Sequence, residues 1–134
     1  MFGKSLIVAG LLLTSNASEA SMNGQTIRGE ILDTRIADCG VRIDGTELAR
    51  LQPFIETSEA LAGTFRISLT KRSPSGTSVT TQANRFSGGS LGRMILAVDR
   101  PAEVTIDMQV DAEDGTSLCR IATELHLEES EIRL

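Results

Sequence analysis

The strongest constraint on the fold is a two-residue alternation of apolar and polar side chains that recurs along the chain. It is clearest at residues 65–70 and 104–111, where Phe, Val, Ile, Leu and Met alternate with polar side chains. Successive side chains of a strand point to opposite faces of a sheet, so this pattern predicts strands with one buried face. The same rule predicts five further strands, at 39–44, 47–57, 76–86, 93–98 and 117–125, of which those at 47–57 and 76–86 are less regular.

Turn-forming residues separate these seven segments. They include Asp44-Gly45, Gly88-Gly89 and Asp114-Gly115, together with prolines at 74 and 101. Short strands punctuated at this spacing are typical of a sandwich of two sheets. The sequence therefore predicts an all-β, seven-stranded β-sandwich over residues 39–127.

The first twenty residues predict a cleaved signal peptide. Lys4 precedes an apolar run at 6–13, and Ser18-Glu19-Ala20 has the small residues of an export-peptidase site. The run is shorter than the ~18 residues a membrane-spanning helix needs, so no stable membrane insertion is expected. Residues 21–38 form an N-terminal extension without firm periodicity, and 128–134 form an acidic C-terminal tail. We therefore expect a periplasmic protein.

The two cysteines, Cys39 and Cys119, are 80 positions apart. In an oxidising compartment, two cysteines of a small domain favour a disulfide over a metal site. Cys39 shares its parity with Val41 and Cys119 with Ile121, so both sulfurs are expected on buried faces. A disulfide between the first and last predicted strands follows, with two separate buried thiols as the alternative.

Residues for common catalytic and metal sites are scarce. Nucleophilic catalysis by serine or cysteine needs a base beside the nucleophile, and the single histidine, His126, lies near the end of the last predicted strand. Clustered histidines and cysteines, as transition-metal sites require, do not occur in the sequence. Asp111, Glu113 and Asp114 could offer oxygen ligands to calcium, but an ordinary acidic turn between two strands is the favoured interpretation. We predict that the protein is not an enzyme and has no metal and no cofactor. An enzyme built from carboxylates that only the fold brings together remains an alternative.

Charge is unevenly distributed along the chain. The net charge of -5 argues against a nucleic acid partner, because phosphate binding needs a basic surface. Six cations and one anion nevertheless lie between Gly63 and Arg100. Six side chains of this region are candidates for partner binding: Arg66, Lys71, Arg72, Gln82, Arg85 and Arg93. The alternative is a solvated sheet face whose cations discourage edge-to-edge aggregation.

Residues 63–86, GTFRISLTKRSPSGTSVTTQANRF, resemble the curli assembly chaperones of the CsgC/CsgH type, most closely the CsgH branch. The likeness rests on a strand, a Ser/Gly-rich turn and a strand with Ser78, Gln82 and Phe86, flanked by an early and a late cysteine. The CsgC branch has a Cys-x-Cys pair that this chain lacks, which argues against a redox role.

The resemblance implies an immunoglobulin-like sandwich in the periplasm that keeps the curli major subunit, or a similar amyloidogenic secreted protein, from assembling too early. On that model Gln82 makes a polar contact, and five cations attract an acidic client: Arg66, Lys71, Arg72, Arg85 and Arg93. We expect the protein to be a monomer. A structural or accessory component of a surface fibre is the alternative.

Overall fold

Nine β-strands make up the regular structure of residues 24–129, the part of the chain that the computed structural model describes. Their bounds are β1 Gly24–Arg28, β2 Glu30–Ile31, β3 Ile36–Asp44, β4 Leu48–Thr57, β5 Gly63–Ser73, β6 Gly76–Phe86, β7 Leu96–Asp99, β8 Ala102–Ala112 and β9 Ser117–Leu127. The predicted signal peptide lies outside the described residues, as does most of the predicted acidic tail. Residues 24–129 contain no helix of the length and apolar character needed to cross a membrane.

The strands form two sheets. One has the order β1-β3-β4-β7 and the other the order β2-β9-β8-β5-β6, and every neighbouring pair is antiparallel. The predicted all-β sandwich is confirmed, and each of the seven predicted strands is present. The strand predicted at 93–98 begins at Leu96, three residues later than predicted.

Two strands, β1 and β2, were not predicted, because residues 21–38 show no firm alternation of apolar and polar side chains. They belong to different sheets, and the chain passes from one sheet to the other at Gly29. The Gly29 amide donates a hydrogen bond to the Cys39 carbonyl at 2.9 Å. A Cβ at Gly29 would lie 2.8 Å from Cys119 Sγ, so the crossing needs a residue without a side chain.

The predicted disulfide is confirmed. Cys39 of β3 and Cys119 of β9 are bonded, with their Cα atoms 6.5 Å apart, and both residues are fully buried. The bond joins the two sheets, because β3 and β9 belong to different ones. An oxidised pair of this kind is consistent with an exported protein.

The core lies between the sheets and is built from the apolar halves of the alternating strands. β5 contributes Phe65, Ile67 and Leu69, and β8 contributes a buried side chain at every even position from Ala102 to Ala112. Burial of each large apolar side chain stabilises the fold by about 1.5–3 kcal/mol. The opposite residues of β5 and β8 therefore point away from the core, onto the outer face of the five-stranded sheet.

Candidate functional site

The hairpin β5–β6 forms one side of the five-stranded sheet, and β6 is its edge strand. The two strands pair without a break from Gly63↔Phe86 to Ser73↔Gly76. Pro74 and Ser75 form the turn, and Gly76 follows with a φ of +124°, a conformation that side chains rarely adopt. All of β6 is exposed except Thr80, which is half-buried, and Phe86, which is buried.

Arg66, Arg72 and Arg85 lie on the outer face of this hairpin. Arg66 pairs with Ala83, and Thr64, in the next row, pairs with Arg85, so the two arginines occupy neighbouring rows of adjacent strands. They line a shallow depression of about 460 Å³ that also includes Gln109 and the acidic residue Asp111. Arg72 is six residues along β5 from Arg66, about 20 Å away at the rise of an antiparallel strand. The cations thus occupy two ends of the face.

Ion pairing distinguishes Arg66 and Arg85 from arginines of the four-stranded sheet. On the four-stranded sheet Arg28 pairs with Asp38, and Arg50 lies 3.3 Å from Asp44 Oδ1. Within residues 24–129, Arg66 and Arg85 have no carboxylate oxygen within 4 Å. Their guanidinium charges are therefore available to a partner.

The basic surface is narrower than the charge distribution along the chain suggests. β8 and β9 follow β5 in the sheet and bring four acidic residues to the same outer face: Glu103, Asp107, Asp111 and Glu124. Arg72 lies 3.9 Å from Glu124, whereas Asp111 accepts from Gln109 at 3.3 Å. On the β5–β6 half of this face, Arg66 and Arg85 are the described cations without a carboxylate oxygen within 4 Å, and we call them the Arg66–Arg85 cluster. Arg120 of β9 pairs with Gln109 and adds a further such arginine to the outer face.

Lys71 lies apart from this cluster. It has the parity of the core-facing residues, and its side chain turns to Asp99 at the end of β7, with 3.1 Å between Nζ and Oδ1. Nζ also donates to Ser73 and Ser75 of the turn. Hydrogen bonds from Lys71 and then Ser75 hold the pKa of Asp99 below its usual value. This network fastens the hairpin turn to the other sheet.

Gln82 and Arg93 are also separated from the cluster. Gln82 pairs with Ile67, so it points to the opposite side of β6 from Arg85. Arg93 is exposed in the connection between β6 and β7 and does not line the depression. The six predicted binding residues therefore do not form one cluster: Arg66 and Arg85 are together, Arg72 lies about 20 Å away on the same face, and the other three lie elsewhere.

Two features of the surface were not predicted from the sequence. Phe54 pairs with Gly40, so the aromatic ring covers the position where Gly40 has no side chain. The Arg42 guanidinium lies 3.7 Å from the centroid of the Phe54 ring. His126, predicted to have no catalytic role, is 2.6 Å from Glu103 on the outer face. No group of three or more metal-ligating side chains occurs in the part of the chain that the structure describes.

Comparisons with known proteins give one similarity. No protein-family model and no curated protein matches the chain. The chain is similar to the solution structure of CsgH from R. palustris, with 14% sequence identity, a TM-score of 0.44, and coverage of 79% of this chain and 90% of that one.

Proposed function

We propose that the protein is an exported chaperone that delays amyloid assembly of a curli major subunit, or a similar secreted amyloidogenic protein, through weak electrostatic contacts. The observation that carries the proposal is the Arg66–Arg85 cluster, two exposed neighbouring arginines without a close carboxylate partner among the described residues. It lies on the hairpin whose sequence resembles the curli assembly chaperones.

Electrostatics explains how weak binding would suffice. Guanidinium groups attract the carboxylates of an extended client, and the attraction extends about 8 Å at physiological salt. The acidic side chains of β8 and β9 on the same face limit the area of favourable contact. Repeated short encounters would remove client chains from the pool that forms the strand-stacked nucleus, without a tight complex.

The other candidate residues take different roles in this proposal. Arg72 is a second contact, weakened by the nearby Glu124, and Arg93 steers the client without belonging to the cluster. Lys71 holds the hairpin turn through Asp99. Gln82 contacts the client only if the client also reaches the other side of β6. The proposal includes no catalytic activity.

The experiment compares two double variants that remove the same charge from opposite sheets. Arg66→Gln with Arg85→Gln removes the cluster, and Arg28→Gln with Arg50→Gln removes two arginines that are already ion-paired. Amyloid formation by purified curli subunit is followed by thioflavin fluorescence with substoichiometric chaperone. The first variant should lose most of the delay and the second should retain it. Equal delays for the two variants at equal stability would contradict the proposal.

The second candidate is a component of a surface fibre. It is favoured by the 11-residue edge strand β6, which offers unpaired backbone groups for strand addition. Sedimentation over a range of protein concentrations separates the two functions, because a fibre component should assemble and the proposed chaperone should stay monomeric.

A further inference from the structure

The four edge strands of the sandwich differ in how well they are protected. β1, β2 and β7 have five, two and four residues, which is the short length that proteins use to limit pairing at an edge. β6 has 11 residues and pairs with β5 without a bulge. It contains no proline, and Arg85 is its single charged residue. The β6 edge therefore lacks the usual features that prevent another strand from pairing with it.

The register of the hairpin shows which backbone groups are available. Ser73↔Gly76 closes a two-residue turn, so this pair exchanges both backbone hydrogen bonds, and the pairs alternate from there. The contact of 3.1 Å between the hydroxyls of Ser68 and Thr81 fits this alternation, because side chains approach more closely in the non-hydrogen-bonded pairs. The odd residues of β6 consequently direct their N–H and C=O groups away from β5. They are Thr77, Val79, Thr81, Ala83 and Arg85.

The side chains of β6 indicate the chemistry of a strand that would fit beside it. Ser78, Gln82 and Asn84 make one side polar and exposed, and Val79, 65% exposed, lies on the other side. Uncharged side chains such as Thr, Ser, Asn and Gln complement these positions by cross-strand packing and hydrogen bonding. A strand with charges in its centre would gain no ionic partner there.

Charge favours one end of an added antiparallel strand. An antiparallel strand that spans Thr77 to Arg85 begins opposite Arg85 and ends opposite Thr77. Ala83 is small and lies between Arg66 and the added strand, so the Arg66 guanidinium can reach across it. An acidic residue at the first position of the added strand would therefore meet both members of the Arg66–Arg85 cluster.

We propose that β6 binds an extended segment of the client as an additional antiparallel strand, uncharged in its centre and acidic at its N-terminal end. This inference rests on the proposed function and adds how the client is held. A client strand paired with β6 has one edge covered, so it cannot present both edges to other client chains. Strand addition thus explains how contact at one edge would delay the stacking that amyloid requires.

The test uses a nine-residue peptide matched to Thr77–Arg85. Its first residue is Glu and the others are Thr, Asn, Gln and Val. Amide hydrogen exchange of the protein is measured by NMR with and without peptide. The amides of the five odd residues of β6 should exchange fast in the free protein and slow by at least about tenfold near saturation, because peptide carbonyls then accept from them. Replacing the peptide's Glu by Gln should weaken binding about threefold.

Methylation of peptide nitrogens provides the matched control. The N–H groups at odd peptide positions face β6 in the proposed register, and those at even positions face solvent. Two N-methyl groups at positions 3 and 7 should weaken binding about tenfold or more, whereas two at positions 4 and 6 should leave it nearly unchanged. Equal effects of the two peptides would overturn strand addition.

The remaining outcomes separate this inference from the proposed function. If the protein delays amyloid formation but the peptide gives no protection of the five amides, strand addition is overturned and the chaperone proposal stands. If the peptide protects them but no delay occurs, the edge site stands and the chaperone proposal fails. Protection that rises with protein concentration in the absence of peptide would assign the edge to a second copy of the chain and overturn the inference.

Discussion

Loss of the Cys39–Cys119 bond should remove a large part of the stability of the fold. The bond closes a loop of 80 residues, so the chain-entropy relation gives a stabilisation of about 4.5 kcal/mol at 25 °C. Small domains are stable by about 5–15 kcal/mol in total, so the reduced protein would be marginal. The melting temperature should fall by about 20 °C or more for a domain of this size.

Urea unfolding with and without reductant measures this effect directly. The double variant Cys39→Ala with Cys119→Ala is the control, because its stability should resemble that of the reduced protein and should not respond to reductant. Both cysteines are fully buried, so a reductant should react slowly in native buffer and faster as urea opens the sandwich. A difference below about 1 kcal/mol between oxidised and reduced protein would refute the loop argument.

Two further predictions concern packing and pH. Gly63→Ala should destabilise the fold by about 2–3 kcal/mol, because the new Cβ would lie 1.9 Å from the Asp111 carbonyl oxygen. Gly24→Ala is the control: no atom lies within 4 Å of its new Cβ, so the free energy of unfolding should change by less than about 0.5 kcal/mol. Equal urea midpoints for the two variants would contradict this prediction. The Arg35 side chain lowers the pKa of Asp33 from 3.8 to about 2, so the stabilisation from this carboxylate is present above pH 3.8 and is lost as the pH falls toward 2. The Asp33→Asn variant should not show this loss of stability between pH 3.8 and 2. Acid titrations in which the variant and the unchanged protein lose stability equally over this range would show that the Asp33–Arg35 pair does not contribute.

The sequence was most informative where one physical pattern controlled the structure. In β5 and β8 the buried and exposed residues follow the alternation, since each strand has a single core-facing side. The parity of Cys39 and Cys119 likewise placed both sulfurs in the core. The strands β1 and β2 escaped prediction because their place in the sheets depends on the crossing at Gly29 and on pairing with β3 and β9, which only the tertiary structure supplies.

The candidate site was only partly predictable for a related reason. Arg66 and Arg72 share a face of one strand, as parity requires. Which strand lies next to β5 is a matter of topology, and β8 brings Asp107 and Asp111 beside it although they are about 40 residues away in the chain. The Lys71 side chain likewise turns to Asp99 because the fold brings the end of β7, on the other sheet, close to β5. Segregation of charge along the sequence thus becomes partial mixing of charge on the surface.

The most direct test of the central claim is the lag time of curli subunit assembly, measured by thioflavin fluorescence with the protein well below equimolar amounts, at low and high salt. The proposed electrostatic contact predicts a longer lag at low salt that shortens as salt rises. An unchanged lag at every ratio, from folded and monomeric protein, would contradict the account.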